Sequence, residues 1–421
     1  MAVSGGEERE RVVVTGVGAV SPLGNDVSST WAGMMDGHCG VRAISRFDAS
    51  DYPCTLAAPA GDFDPLEYVD RRDARRMSRF VQFAVAAAAQ AVADSGLDLS
   101  GEDRARVGVE IGSAFGGTAV VEEQCQVLME SGPRRVSPTT VPAMLVSMPA
   151  CFVAIQQGIL GPVGSPVAAC ATGVVAIGEA MRRLARGGAD VILAGGAENP
   201  VTPVIISAFG RMGGLSRRND TPARAITPFD ADRDGTVLGE GAGVLVLESL
   251  AHALARKARI LAEVTGYALT CDAHHISAPL EDGSGAARAM SGALADAGVE
   301  PAAVDYVAAH GTGTPLNDAM ETRAIKTALG EGARRVAVSS IKSMTGHTVA
   351  AAGALSAIAA IKAMHERVVP PTIGLQSPDP ECDLDYVPNE PREAEIRVAL
   401  VNGFGFGGQN ASILLERWSD D

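Results

Sequence analysis

The sequence predicts an α/β fold made of two similar halves, and three observations carry that reading. Short apolar or β-branched runs alternate along the whole chain with alanine-rich stretches of helical length, the pattern of sheets covered by helices. Aromatic residues make up only 4% of the 421 positions while glycines number 48, so helices with small faces are expected to pack closely on those sheets. Both halves open on a strand ending at a Thr-Gly step, VVVTGVG at 12–18 and LAEVTGYA at 261–268, which hints at an internal duplication. The charged run HALARKAR at 252–259 separates them and places an N-terminal half at 1–255 and a C-terminal half at 256–421.

Composition narrows the function classes. A net charge of -15 argues against nucleic acid and anionic membrane as partners. Seven scattered cysteines form no Cys-x-x-Cys pair, which fits a reduced, cytoplasmic setting. The opening MAVSGGEERERVVVTG carries acidic residues and no sustained apolar core, unlike a signal or transit peptide. No later segment is long and apolar enough to span a bilayer.

The elements follow in order. A β-branched strand at 11–17 leads through the turn Ser21-Pro22-Leu23-Gly24 to a helix at 28–35. The loop-rich stretch 47–73 runs into RRDARRMSR, where Arg71, Arg72, Arg75, Arg76 and Arg79 form the densest positive cluster; it reads either as a solvated face or as a dock for an acidic partner. An alanine-rich helix at 80–95 is stopped by Gly96. A second strand at 106–113 then enters the turn Ala114-Phe115-Gly116-Gly117, whose large aromatic must point somewhere specific.

Next comes GPVGSPVAACATGVVAIGEAMRRLAR at 161–186, which changes character at Cys170. The chain before it is short, apolar and punctuated by proline and glycine; the chain after it is proline-free helix former. Cys170 is therefore expected at a helix N-terminus, where the dipole and free N–H groups favour the nucleophilic thiolate. A cysteine among alanines also serves simply as packing. Strands at 190–195 and 244–247 complete the first half, the second preceded by a glycine-rich stretch at 235–243.

The second half holds three polar loops. His310 follows the strand-like VDYVA in AHGTGTP, with Asn317, Asp318 and Glu321 after it. Lys342 and His347 stand five residues apart in SSIKSMTGH, ahead of a helix at 349–364 built almost wholly of small and aliphatic residues. The third loop, NGFGFGG at 402–408 after the strand VALV, can turn backbone N–H groups toward an oxyanion. One cysteine, two loop histidines, a lysine and a glycine turn suit a site that makes and then uses a thioester.

The motifs VAACATG, AAHGTGTPLND, SSIKSMTGH and NGFGFGG, in that order, make the chain resemble the β-ketoacyl-acyl-carrier-protein synthase family, nearest the synthase II type, over about 11–417. The resemblance implies the thiolase fold, two similar halves in a five-layer α-β-α-β-α arrangement. It implies a dimer with the acyl pocket near the interface, substrates carried on the phosphopantetheine of acyl carrier protein, and neither metal nor cofactor. By the same resemblance Cys170 is the acyl-accepting nucleophile, with His310 and His347 as catalytic histidines. Lys342 holds positive charge beside them and Glu321 pairs with it. The N–H groups of Cys170 and Phe406 form the oxyanion hole, Thr312 and Thr314 contact the phosphopantetheine arm, and Phe115, Phe404 and Phe406 line the substrate pocket.

The chain departs from the family pattern at Ile341 in place of threonine, Gly403 in place of serine and Phe115 in place of an aliphatic residue. A docking arginine of the family falls at Gly213, with Arg211 and Arg217 nearby, so Arg72, Arg75, Arg76 and Arg211 are the expected carrier-protein dock. The implied reaction is decarboxylative condensation of an acyl thioester on Cys170 with malonyl carrier protein, in fatty-acid or polyketide elongation. It would run in a homodimer or in a heterodimer with a chain-length-factor homologue. A non-catalytic partner subunit would lack the cysteine, and a thiolase or thiol hydrolase would lack the second histidine loop.

Overall fold

The computed structural model describes residues 9–419. Ten strands form its main sheet: β1 (Val12–Val20), β2 (Val107–Gly112), β3 (Val163–Gly164), β4 (Val191–Glu198), β5 (Gly241–Ser249), β6 (Ala262–Cys271), β7 (Tyr306–Ala308), β8 (Ala337–Ser339), β9 (Val398–Gly405) and β10 (Gln409–Arg417). Their order is β8-β7-β9-β10-β6-β1-β5-β4-β2-β3. Outward from the centre, the first half runs β1, β5, β4, β2, β3 and the second β6, β10, β9, β7, β8. That is one order used twice. In each half the two inner pairings are antiparallel and the two outer ones parallel. The sets join where Val13 and Val14 of β1 pair antiparallel with Glu263 and Ala262 of β6.

Seven helices matter for the site: α1 (Arg79–Ser95), α2 (Thr118–Ser131), α3 (Thr172–Ala185), α4 (Pro203–Arg211), α5 (Ser284–Ala297), α6 (Pro315–Leu329) and α7 (Ala352–Glu366). On the outside of the first half, α1 packs on β1, β5 and β4; on the outside of the second, α5 packs on β6 and β10 with α6 beside it. Between the sets, α3 packs on β4 and β10, and α7 on β5 and β9. The result is five layers, helix, sheet, helix, sheet, helix, as the resemblance implies. A helix enclosed by two sheets must be apolar on every side, which is why α7 reads as almost uninterrupted alanine, isoleucine and leucine. Glycine sets the spacing: a Cβ on Gly173 would stand 2.7 Å from the Ala350 carbonyl, and one on Gly353 2.7 Å from the Val174 nitrogen.

The expected elements appear with shifted ends. The helix expected at 80–95 starts at Arg79 and stops where Gly96 turns left-handed at φ 63°. The strand expected at 244–247 is the nine-residue β5, because Gly241 to Gly243, expected in the stretch before it, belong to it. Gly243 is needed there: its Cβ would meet Ala354 of α7 at 3.0 Å. The stretch before Cys170, apolar enough to suit a buried strand and turn, forms only the two-residue edge strand β3, which is not buried, and helices α2 and α4 are not singled out by the pattern; no side chain of α2 is fully buried. Among the described residues no helix is long and apolar enough to cross a membrane.

Candidate active site

Cys170 is placed by a turn, Ala169–Ala171, that leads directly into α3. Ala169 takes φ 48°, a left-handed conformation that costs an alanine on the order of 1 kcal/mol and turns the chain sharply under Cys170. Thr172 locks the turn, its hydroxyl accepting from the Ala168 N–H at 2.9 Å and donating to the Ala169 carbonyl at 2.7 Å. Cys170 thus heads a helix, as expected. Its ionisation is not as expected. Burial pushes the thiol up to about 12, Lys342 pulls it down and the Glu198 carboxylate opposes that pull. Burial therefore works against the thiolate that the helix N-terminus favours.

His310 follows β7, and its loop is held from below by Glu321 of α6. That carboxylate accepts the His310 N–H and the Gly311 N–H, each at 2.7 Å, and the Asn402 side-chain amide at 3.1 Å. Here the sequence expectation needs correcting. Among the described residues no ion pair joins Glu321 to Lys342; the carboxylate is spent on the backbone that aims His310 and reaches Lys342 only through its field. Burial lowers the Lys342 ammonium to about 8, with Glu321 and Cys170 raising it.

His347 is fixed from two sides. Its backbone N–H donates to the Val237 carbonyl at 2.7 Å, and its Nδ1 accepts from the Val349 N–H at 3.3 Å. Accepting at Nδ1 leaves the proton of the neutral ring on Nε2, a tautomer set by the hydrogen-bond network. The rings of His310 and His347 meet edge to face with centroids 5.5 Å apart, and the ring of Phe404 lies 5.4 Å from that of His310. Both imidazoles are held well below their usual range, first by burial and then by Lys342. The pair is neutral at neutral pH.

All three groups line one cavity of about 330 Å³, together with Thr312, Thr314, Phe404 and Phe406. The two threonine hydroxyls face each other at 2.9 Å, on a loop whose Thr312 and Gly313 N–H groups are held by Asp318. On the opposite wall the chain leaving β9 lies against the nucleophile: a Cβ on Gly405 would be 2.5 Å from the Ala168 carbonyl and 3.3 Å from the Cys170 nitrogen. This presents a cysteine, two neutral imidazoles and the backbone turn at Gly405 and Phe406 to one space. Models of the β-ketoacyl synthase N-terminal and C-terminal domains match residues 9–253 and 261–376.

The chain belongs to the β-ketoacyl synthase family. It is similar to the 3-oxoacyl-[acyl-carrier-protein] synthase 2 of Synechocystis sp., 48% identical, with 98% of this chain and 99% of the relative covered. It is similar to the protein of the same name from Vibrio harveyi, 46% identical over 97% and 99%. Among solved structures, it matches a ketosynthase/chain length factor of ishigamide at TM-score 0.90 and 37% identity, covering 98% of this chain and 100% of the other. It also matches a type II polyketide acyl carrier protein in complex with its ketosynthase bound to the hexaketide, at TM-score 0.91 and 36% identity over 98% and 100%.

Around the synthase's reactive centre, three rings form a chain. Phe406, 38% exposed at the cavity wall, stacks on Phe209 of α4 at 5.7 Å, and Phe209 meets Phe115 edge-on at 6.0 Å. Phe115 does not line the cavity of about 330 Å³ but packs, beside Phe209, against the buried cluster that includes Cys170. The turn that carries Phe115 is held by Glu198, whose fully buried carboxylate accepts the Ser113 hydroxyl and the Ala114 N–H at 2.8 Å and the Phe115 N–H at 3.3 Å. Burial raises this acid to about 7 against those bonds. Sequence reasoning missed Glu198 and Phe209. An acid closing the apolar strand VILAGGAE was the available signal for the first.

The arginine cluster divides. Arg72, Arg75 and Arg76 are exposed, whereas Arg79 turns inward over the Phe83 ring at 4.8 Å and lies 3.7 Å from buried Glu240. Arg211 is exposed at the end of α4, one residue before Met212 and Gly213, which line the cavity.

Proposed function

We propose that this synthase extends an acyl chain by two carbons through decarboxylative condensation on Cys170. In the first half-reaction the Cys170 sulfur bonds to the carbonyl carbon of an acyl thioester, the bond to the carrier's sulfur breaks, and the thiol proton ends on the departing pantetheine thiol. In the second, the bond between the carboxylate and the α-carbon of a malonyl thioester breaks and CO2 leaves. The electron pair moves into an enolate whose oxygen accepts from the imidazole N–H groups. The α-carbon then attacks the acyl-Cys170 carbonyl, whose oxygen sits between the N–H groups of Cys170 and Phe406. The C–S bond breaks and the thiolate takes up a proton.

The observation that carries this reading is the pair of histidines that converges with Cys170 on one cavity, their rings edge to face. An enolate needs N–H donors aimed at its oxygen, and the Val349 N–H on His347 Nδ1 leaves Nε2–H as such a donor. No cofactor has a part in these steps. Substrates arrive on the phosphopantetheine of an acyl carrier protein, supported by the Thr312 and Thr314 hydroxyls in the cavity lining. The exposed Arg72, Arg75, Arg76 and Arg211 supply positive charge for an acidic carrier on a chain of net charge -15. Free cysteines throughout support a reduced, cytoplasmic setting. The test is product analysis: purified synthase given acyl and malonyl carrier proteins should release a 3-oxoacyl carrier protein two carbons longer than the primer. Hydrolysis alone would refute the reading.

A dimer fits the outer face of the first half. No side chain of helix α2 is fully buried, Met129 is 85% exposed, and Ile155 and Leu160 are exposed beside the open edge strand β3. A second copy, or a chain-length-factor homologue, would cover that face.

A further inference from the structure

Thr236 stands between the two histidine loops. The N–H of Gly235, before it, donates to the Gly313 carbonyl at 3.1 Å, and the carbonyl of Val237, after it, accepts the His347 N–H at 2.7 Å. Its own backbone is fixed as well, donating to the Gly214 carbonyl at 2.9 Å and accepting from the Ser216 N–H at 2.8 Å. The side chain lines the same cavity as Cys170, His310 and His347 and is 3% exposed. Yet its buried hydroxyl has no hydrogen-bond partner. The other threonine hydroxyls in the lining, Thr312 and Thr314, satisfy each other.

An unpaired buried hydroxyl destabilises the fold, so its place in a catalytic cavity calls for a partner that arrives with substrate. Resting on the condensation reading, we propose that Thr236 is a positioning residue for the extender unit, its hydroxyl donating to the malonyl carboxylate. The chemistry selects that group. The extender's thioester oxygen is served by the imidazoles and the acyl-Cys170 oxygen by backbone N–H groups, leaving the carboxylate as the one polar group without a donor. A neutral donor suits it. A cationic one would stabilise the carboxylate in the ground state and oppose loss of CO2. Rotation about the Cα–Cβ bond exchanges the hydroxyl with a methyl of similar size, so the donor turns toward the carboxylate without disturbing the fixed backbone.

Thr236→Val keeps the shape and deletes the hydroxyl; Thr236→Ser keeps the donor. Steady-state kinetics with malonyl carrier protein should give the valine variant a KM raised about tenfold with kcat changed less than about twofold, and the serine variant a KM near the parent's. Primer loading onto Cys170, followed by intact-protein mass spectrometry, is the comparison half-reaction. An unchanged KM in Thr236→Val overturns the proposal. So does slowed primer loading in parallel with the KM change, which would mark Thr236 as structural support. If the parent loads no primer and makes no 3-oxoacyl product, the condensation reading fails and takes the proposal with it. A parent that condenses normally isolates any failure to Thr236.

Discussion

Gly405→Ala tests the oxyanion turn at the point of closest approach. The added Cβ would meet the Ala168 carbonyl at 2.5 Å and the Ala169 Cβ at 3.2 Å. The first distance is about 1 Å short of ordinary contact. Neither neighbour can give way, because both belong to the turn that Thr172 locks beneath Cys170. The Gly405 and Phe406 segment must therefore retreat by roughly that 1 Å, carrying the Phe406 N–H out of reach of the carbonyl oxygen on Cys170. Loss of one oxyanion donor costs about 10²- to 10³-fold in rate, or about 2.7–4 kcal/mol of transition-state stabilisation. The assay is the rate of Cys170 acylation by an acyl carrier protein, read by mass spectrometry, with thermal unfolding run alongside. We expect at least about a hundredfold slowing with the cooperative unfolding transition retained. Acylation at the parent's rate would refute the geometry.

Two further predictions use other parts of the fold. Phe115→Ala removes the ring that braces Phe209, so acyl-chain profiling should show gain of longer primers; an unchanged profile would separate Phe115 from chain-length control. His252 ties the Glu248 side chain of β5 to its flank, bonding Glu248 at 2.6 Å and Glu102 at 3.0 Å, and the bond to Glu248 raises it to about 9 from an ordinary 6.5. Its stabilisation is whole below pH 6.5 and is lost as pH rises through 9, so the parent's Tm should fall across that window more steeply than that of His252→Asn. Parallel curves would show that the histidine carries no such linkage.

Much of this fold was legible because its signals are local. Gly96 ended a helix where its left-handed backbone demanded, and the proline-free run after Cys170 became α3. The motif residues Cys170, His310 and His347 converge on one cavity although 140 residues separate the first two, as ordered strand-end loops of a duplicated sheet require. What stayed hidden depends on neighbours distant in sequence. Gly241 and Gly243 read as lying before the strand instead of in it, because nothing local reveals that α7 packs on Gly243. The turn that carries Phe115 is held by Glu198, 83 residues away. The thiol of Cys170 was only half legible for the same reason: the helix dipole is visible in sequence, whereas the burial that opposes it appears only once the layers are assembled.

The most direct measurement of the central claim is peptide-level mass spectrometry of the synthase after brief exposure to an acyl carrier protein. The account predicts one acyl group per chain, on the peptide containing Cys170, and none in Cys170→Ala, which should still unfold cooperatively because the substitution removes one sulfur atom from a buried position. Addition of malonyl carrier protein should then discharge the adduct with release of CO2. An acyl group on another residue, or an adduct that persists in Cys170→Ala, would contradict it.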